Sequence, residues 1–221
     1  MKIVSRKYFD PIEITDDDPY TLVIENGREY RNVVHNLYWQ SRFDGDVFEV
    51  SDNNKILDLA KTCSVLTDLF SLDVNERTVL TKLQKEISEE FAGSQLYYDA
   101  VSALNALGLA ICSNSEFPLS FDMALKISDI VKMLGVCIKY DDPATLIEKA
   151  VDYFVIAKKL LGKKLFIAVG LKDMMDEEEY HQFIKLVQYN KIPLLMLERH
   201  THPGMDDVKL MTVIDEDLCV I

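Results

Sequence analysis

Short apolar or β-branched runs at residues 12–14 and 21–25 flank the polar cluster Thr15-Asp16-Asp17-Asp18-Pro19, which has turn chemistry, so the pattern predicts two strands. After Asn26-Gly27, the residues Tyr30, Val33, Val34, Leu37 and Tyr38 recur at helical spacing and predict a helix over 28–40. Phe48-Glu49-Val50 reads as a further strand, ended by Ser51-Asp52-Asn53-Asn54.

From about residue 55 to 134 the period becomes helical. Ile56, Leu57, Leu59, Ala60, Cys63, Leu66 and Phe70 make one stripe, and Val79, Leu80, Leu83, Ile87 and Phe91 make a second. Asn75 stands where it can N-cap the second helix. Residues 97–112 form a third, apolar almost all round, which requires neighbours to cover it. Beyond the loop 113–120, Asp122 is expected to cap a fourth helix that reaches Leu134 and stops at Gly135.

In the last third, residues 136–138 predict a short strand. Asp142-Pro143 supplies an N-cap and a first-turn proline for a helix over 144–161, which closes with Lys158, Lys159 and Gly162. The continuous apolar run 165–169 marks a strand buried on both faces. Asp176-Glu177-Glu178-Glu179 opens a helix with Phe183, Ile184, Leu186 and Val187 on its apolar side. Strands follow at 193–197 and 210–214. Strand, helix, strand with short links makes a βαβ unit and a largely parallel sheet. The expected fold class is therefore α/β: residues 1–54 and 135–221 form a head, and 55–134 form an inserted α-helical leg.

With 221 residues, 48% of them hydrophobic, the chain can bury a sizeable core. Its 24 Lys+Arg against 37 Asp+Glu leave a formal charge of −13, which argues against a protein coated in basic charge but leaves room for a local basic surface. Cys63, Cys112, Cys137 and Cys219 stand far apart with no C-x-x-C pair, so buried structural thiols are expected. No apolar run reaches the roughly 18 to 20 residues of a bilayer span, and Met1-Lys2-Ile3-Val4-Ser5-Arg6-Lys7 lacks the apolar stretch of a signal peptide. The expected location is the cytoplasm.

A βαβ core raises the question of nucleotide binding, but neither G-x-x-x-x-G-K-[ST] nor G-x-G-x-x-G occurs, and Gly162-Lys163-Lys164 precedes a strand instead of following one. There is no G-x-S-x-G elbow, and His35, His181, His200 and His202 show no partnership with a Cys or Ser. Lys158, Lys159, Lys163 and Lys164 are the densest basic cluster. They suit either neutralisation of a helix C-terminus or contact with phosphates, which a symmetric ring would concentrate in a channel. Asp215-Glu216-Asp217, and Glu116 with Asp122, offer carboxylates for a hard cation, though each group has few of the six to eight oxygens calcium takes.

Several segments together resemble one family: Leu72-Asp73-Val74-Asn75 with Thr78-Val79-Leu80-Thr81-Lys82-Leu83, Met133-Leu134-Gly135-Val136, Lys163-Lys164-Leu165-Phe166-Ile167, Leu194-Leu195-Met196-Leu197-Glu198-Arg199, and Ile214-Asp215-Glu216-Asp217. Their order and spacing are similar to those of the CRISPR-associated Csn-two family, the spacer-acquisition protein of subtype II-A, in its short form. The resemblance implies an α/β head like a nucleotide hydrolase that has lost its phosphate loop, with an inserted helical leg. It implies a ring-shaped homotetramer, without catalytic activity, that binds double-stranded DNA, preferably at ends, in a lysine-lined hole. Lys158, Lys159, Lys163, Lys164 and Arg199 are the implied phosphate contacts. It further implies calcium as a stabilising ion, with Glu116 and Asp122 at the family's acidic positions and Pro118 and Ser120 at two others. The implied partners are the Cas integrase complex and the guide-RNA nuclease of the type II-A system. Two other readings stand beside this one: a protein-interaction scaffold of the adaptation complex that does not touch DNA, and a metal-dependent nuclease using Asp215, Glu216 and Asp217.

Overall fold

The computed structural model describes residues 1–139, 145–202, 205 and 209–221. In chain order the elements are β1 (Lys2–Ser5), β2 (Phe9–Glu13), β3 (Tyr20–Ile24), α1 (Gly27–Gln40), β4 (Glu49–Asp52), β5 (Lys55–Leu57), α2 (Leu59–Thr62), β6 (Cys63–Leu66), α3 (Arg77–Phe91), α4 (Gln95–Ser113), α5 (Ile127–Met133), α6 (Leu146–Leu160), β7 (Leu165–Val169), α7 (Glu177–Tyr189), β8 (Leu194–Glu198) and β9 (Met211–Ile214). They divide into two compact units, one from residues 1–74 and 140–221 and the other from residues 75–139.

The first unit is α/β. Its five-stranded sheet has the order β6-β7-β8-β3-β9, with every neighbouring pair parallel. A four-stranded antiparallel sheet, β2-β1-β4-β5, stands beside it. Side chains alternate across the parallel sheet, as the period of two requires. Leu165, Ile167, Leu195 and Leu197 join Val33 and Leu37 of α1, Ile3 and Val50 of the antiparallel sheet, and Phe48 just before β4 in one core. Phe166, Ala168, Leu194 and Met196 join Phe154 of α6 and Tyr180, Phe183 and Val187 of α7 in the other.

The structure corrects several sequence expectations. Residues 55–66, expected as a helix, form a strand, a single helical turn capped by Asp58, and a second strand. Asn53 and Asn54 take positive φ (49° and 62°), turning β4 back into β5 as a hairpin, while Cys63–Leu66 is drawn into register with β7. The expected head therefore extends past residue 54, because these strands belong to its two sheets. The Asp142-Pro143 helix start lies outside the described residues. Helix α6 instead opens at Leu146, where Thr145 and Glu148 form a reciprocal capping box. Residues 136–138 form no strand.

In the second unit, Val79 of α3 and Val131 of α5 are the buried apolar residues. Asn75 does not cap α3. Its side-chain amide instead exchanges two hydrogen bonds with the backbone of Ile138, at 2.8 and 2.9 Å. Asp122 caps no helix either: its Oδ1 accepts the Ala124 N–H at 2.8 Å, and α5 starts only at Ile127. Helix α4 touches the 121–125 stretch through the Tyr97 hydroxyl, which donates to the Leu125 carbonyl at 2.8 Å, and through Gly108, where a Cβ would lie 2.5 Å from the Phe121 ring.

None of α4 is buried. At 19 residues, with a mean hydropathy of 1.2, it is long and apolar enough to cross a membrane, which corrects the expectation that no segment reaches that length. The cysteine expectation also changes: Cys63 is buried, Cys112 half-buried, and Cys137 and Cys219 are exposed, all four as free thiols.

Candidate nucleic-acid interface

Four of the five expected phosphate contacts come from the last turn of α6, Lys158 and Lys159, and from its link to β7, Lys163 and Lys164. The chain leaves α6 through Gly162 at φ 66°, the left-handed turn that a residue without Cβ adopts at no cost, and Lys163 and Lys164 then lead into β7. Because the sheet is parallel, they lie at the edge where its strands begin. The Lys164 N–H donates to the Thr62 carbonyl at 2.7 Å, just before β6.

Lys158, Lys163 and Lys164 line an open cleft of about 600 Å³ on this edge. Lys163 Nζ donates to the carbonyls of Ala60 and Cys63 at 2.8 and 2.7 Å, and Lys158 Nζ donates to the Lys191 carbonyl. These carbonyls orient the two ammonium groups. The Lys164 Nζ lies 3.3 Å from a carboxylate oxygen of Asp52. Asp16 and Asp17 also line the cleft. The hydrogen bond from Lys191 holds the Asp17 carboxyl below its usual range, and the same bond raises the Lys191 ammonium above its own. Three ammonium groups thus share one cleft with three carboxylates. Lys159 is exposed and does not line it.

The structure does not bring Arg199 to this site. It follows β8 at the opposite edge, and five residues of strand separate the two edges by about 17 Å. There, the Arg199 guanidinium lies 3.3 Å from Glu216 and donates to the Ile24 carbonyl at 3.5 Å. Glu25 and Asn26 alone connect β3 to α1, and the Asn26 side chain caps α1 by accepting the N–H groups of Arg28 and Glu29. This is the edge at which α/β sheets bind ligands, and its helix N-terminus is already occupied by the chain's own side chain.

Glu198 ends β8 at the same edge and is fully buried. Its Oε1 accepts the N–H groups of Leu171 and Lys172 at 3.0 and 3.1 Å, while Oε2 has no partner among the described residues. Burial pushes its carboxyl up to about 7, opposed by those two N–H groups and by Lys172 and reinforced by Asp173. Lys172 is itself buried, donating to the carbonyls of Met175 and Asp176 at 3.3 Å, with Nζ 4.9 Å from the centre of the Tyr180 ring. Sequence reasoning did not single out Glu198 or Lys172; the signal was a carboxylate closing the apolar run Leu194-Leu195-Met196-Leu197. Asp16, Asp17 and Asp52 were missed as neighbours of the lysines because roughly a hundred residues or more separate them along the chain.

The metal candidates do not converge. Glu116 and Asp122 are both exposed, Asp122 is engaged by the Ala124 N–H, and among the described residues no three His, Cys, Asp or Glu side chains are grouped to hold a metal. A six- to eight-oxygen calcium shell does not fit these two residues within one chain. Asp215 closes a turn by accepting the N–H groups of Asp217 and Cys219, and Glu216 faces Arg199, so this acidic run also presents no convergent carboxylates. His202 lies 3.3 Å from Asp173, and His200 is exposed.

The fold is similar to that of Stu0660 of Streptococcus thermophilus, with a TM-score of 0.61 and 12% identity over 97% of this chain and 74% of that one. An ATP-binding cassette of an ABC transporter, MJ1267 in its ADP conformation, gives a TM-score of 0.49 and 14% identity, over 97% of this chain and 87% of that one. No curated protein matches the sequence. The family of the CRISPR-associated protein Cas_Csn2 matches residues 40–218, a stretch that takes in the lysine edge, all of the second unit and the first unit from residue 40 to residue 218. The chain belongs to the Cas_Csn2 family of CRISPR-associated proteins.

Proposed function

We propose that this protein is a non-enzymatic, ring-forming, cytoplasmic protein that binds double-stranded DNA at its ends during spacer acquisition, beside the integrase complex and guide-RNA nuclease of its CRISPR system. The observation that carries this reading is the convergence of Lys158, Lys163 and Lys164 on one edge of the parallel sheet, two of them oriented by neutral carbonyls. Support for assembly comes from α4. Leu96, Leu107, Leu109 and Ile111 are all more than half exposed in the single chain, and an apolar helix of this length calls for cover by further copies. A homotetramer repeats the lysine edge four times around one channel, together with Asp16, Asp17 and Asp52 of each copy. Calcium, if held, takes donors from more than one copy, since Glu116 and Asp122 do not suffice alone.

Backbone contact carries no sequence information and makes affinity fall steeply with salt. The Lys163→Glu, Lys164→Glu double variant is expected to lose DNA binding in a gel shift and to flatten its salt dependence. Unchanged affinity removes these lysines from the interface. The alternative, a scaffold that recruits adaptation proteins without touching DNA, draws on the −13 charge of the chain; a tetramer that captures those proteins but ignores DNA at physiological salt would favour it.

A further inference from the structure

A second face of the α/β unit is acidic. The end of α1, the loop after it and the β5–α2 stretch enclose a groove of about 320 Å³. Its wall is held by the buried side chain of Gln40, which donates to the carbonyls of Gly45 and Phe48 at 2.9 and 2.6 Å and accepts the Phe48 N–H at 3.0 Å. The loop fits closely at Gly45, where a Cβ would stand 3.0 Å from the Gln40 side chain. Four carboxylates, Asp44, Asp46, Glu49 and Asp58, line this groove. Asp58 pairs with Lys61 at 3.0 Å, whereas Asp44, Asp46 and Glu49 make no ion pair among the described residues. The nearby Arg42 is turned away, stacked 3.6 Å from the centre of the Tyr38 ring. Phe43 of the groove packs against Trp39 outside it, with ring centres 4.4 Å apart, and each is 52% exposed.

We propose that this groove docks a lysine- or arginine-rich segment of a partner protein, with an apolar side chain of that segment seated on the Trp39–Phe43 pair. Charge complementarity selects the occupant: the unpaired carboxylates repel DNA and acidic segments and attract a basic one. Exposed aromatic pairs supply the anchoring area that small interfaces depend on. The face is distinct from the lysine cleft and does not depend on the DNA-binding reading.

Trp39 is the only tryptophan of the chain and packs against the groove residue Phe43, so its emission reports on a ligand seated on that pair. The full-length protein is titrated with a short peptide of alternating lysine and leucine, and with its glutamate and leucine counterpart. The expected result is a saturable shift in Trp39 emission with the lysine peptide, weakened by salt, and none with the glutamate peptide. The combined Asp44→Asn, Asp46→Asn, Glu49→Gln variant is expected to weaken peptide binding by about tenfold, as three exposed pairs together allow, while leaving far-UV circular dichroism and any DNA affinity as they were. Three results would each overturn the proposal: no emission change with the lysine peptide, equal affinity in the neutralised variant, or a fall in oligomeric mass by light scattering in Phe43→Ala, which would assign the face to a contact between copies.

Discussion

Replacing Glu198 by Gln tests the buried carboxylate at the end of β8. Its carboxyl is raised from 4.5 to about 7, chiefly by burial. A group whose folded pKa lies above its unfolded value binds its proton more tightly in the native state, so the stability it contributes is complete below about 4.5 and is lost as pH rises to about 7. The difference between those values corresponds to roughly 3 kcal/mol. The Gln amide oxygen can still accept the N–H groups of Leu171 and Lys172, and its neutral NH₂ replaces the partnerless oxygen without the charge. Urea unfolding of both proteins between pH 4.5 and 8.5, followed by far-UV circular dichroism, isolates the effect, because every other titrating group is common to the two. Glu198→Gln is expected to be close to neutral at pH 4.5 and to gain stability over the parent as pH rises, by up to about 3 kcal/mol at pH 8. A difference that stays flat across this range, or that shrinks with pH, refutes the burial argument.

Gly108→Ala places a methyl group 2.5 Å from the Phe121 ring, and overpacking of that kind costs about 1–3 kcal/mol; limited proteolysis should then cleave within residues 75–139 sooner than in the parent. Asp52→Asn frees Lys164 from its 3.3 Å carboxylate partner. Since exposed pairs are worth about 0.2–1 kcal/mol, DNA affinity per chain should rise up to about fivefold in a gel shift, and a fall would show that Asp52 positions Lys164 instead of competing for it.

The parts of the fold that were legible in the sequence are those whose neighbours are close by in the chain. The apolar runs that became β7 and β8, and the acidic start of α7, describe themselves, because a strand buried on both faces and a helix facing a core each leave a local periodicity. Ile56, Leu59, Ala60, Cys63 and Leu66 also fit a helical stripe, yet only Leu59 and Ala60 stand in a helical turn; Ile56, Cys63 and Leu66 went into two strands because β4 and β7 offered partners that no local pattern records. Helix α4 is a different case. Its all-round apolar surface requires cover, and among the described residues it has almost none; hydropathy does not say whether the cover comes from the same chain or another. At the lysine cleft the cations were visible as a cluster. The aspartates facing them, and the opposite edge to which Arg199 belongs, emerge only once the parallel sheet sets the geometry.

The central claim is that DNA enters a ring of these chains from its ends. It is tested most directly by gel shift of linear and covalently closed DNA across a salt series, with calcium and with chelator, on protein whose mass is known from light scattering. The account predicts a tetramer that binds linear DNA alone, more weakly as salt rises; equal affinity for the two forms would contradict end loading, and indifference to both would contradict DNA binding itself.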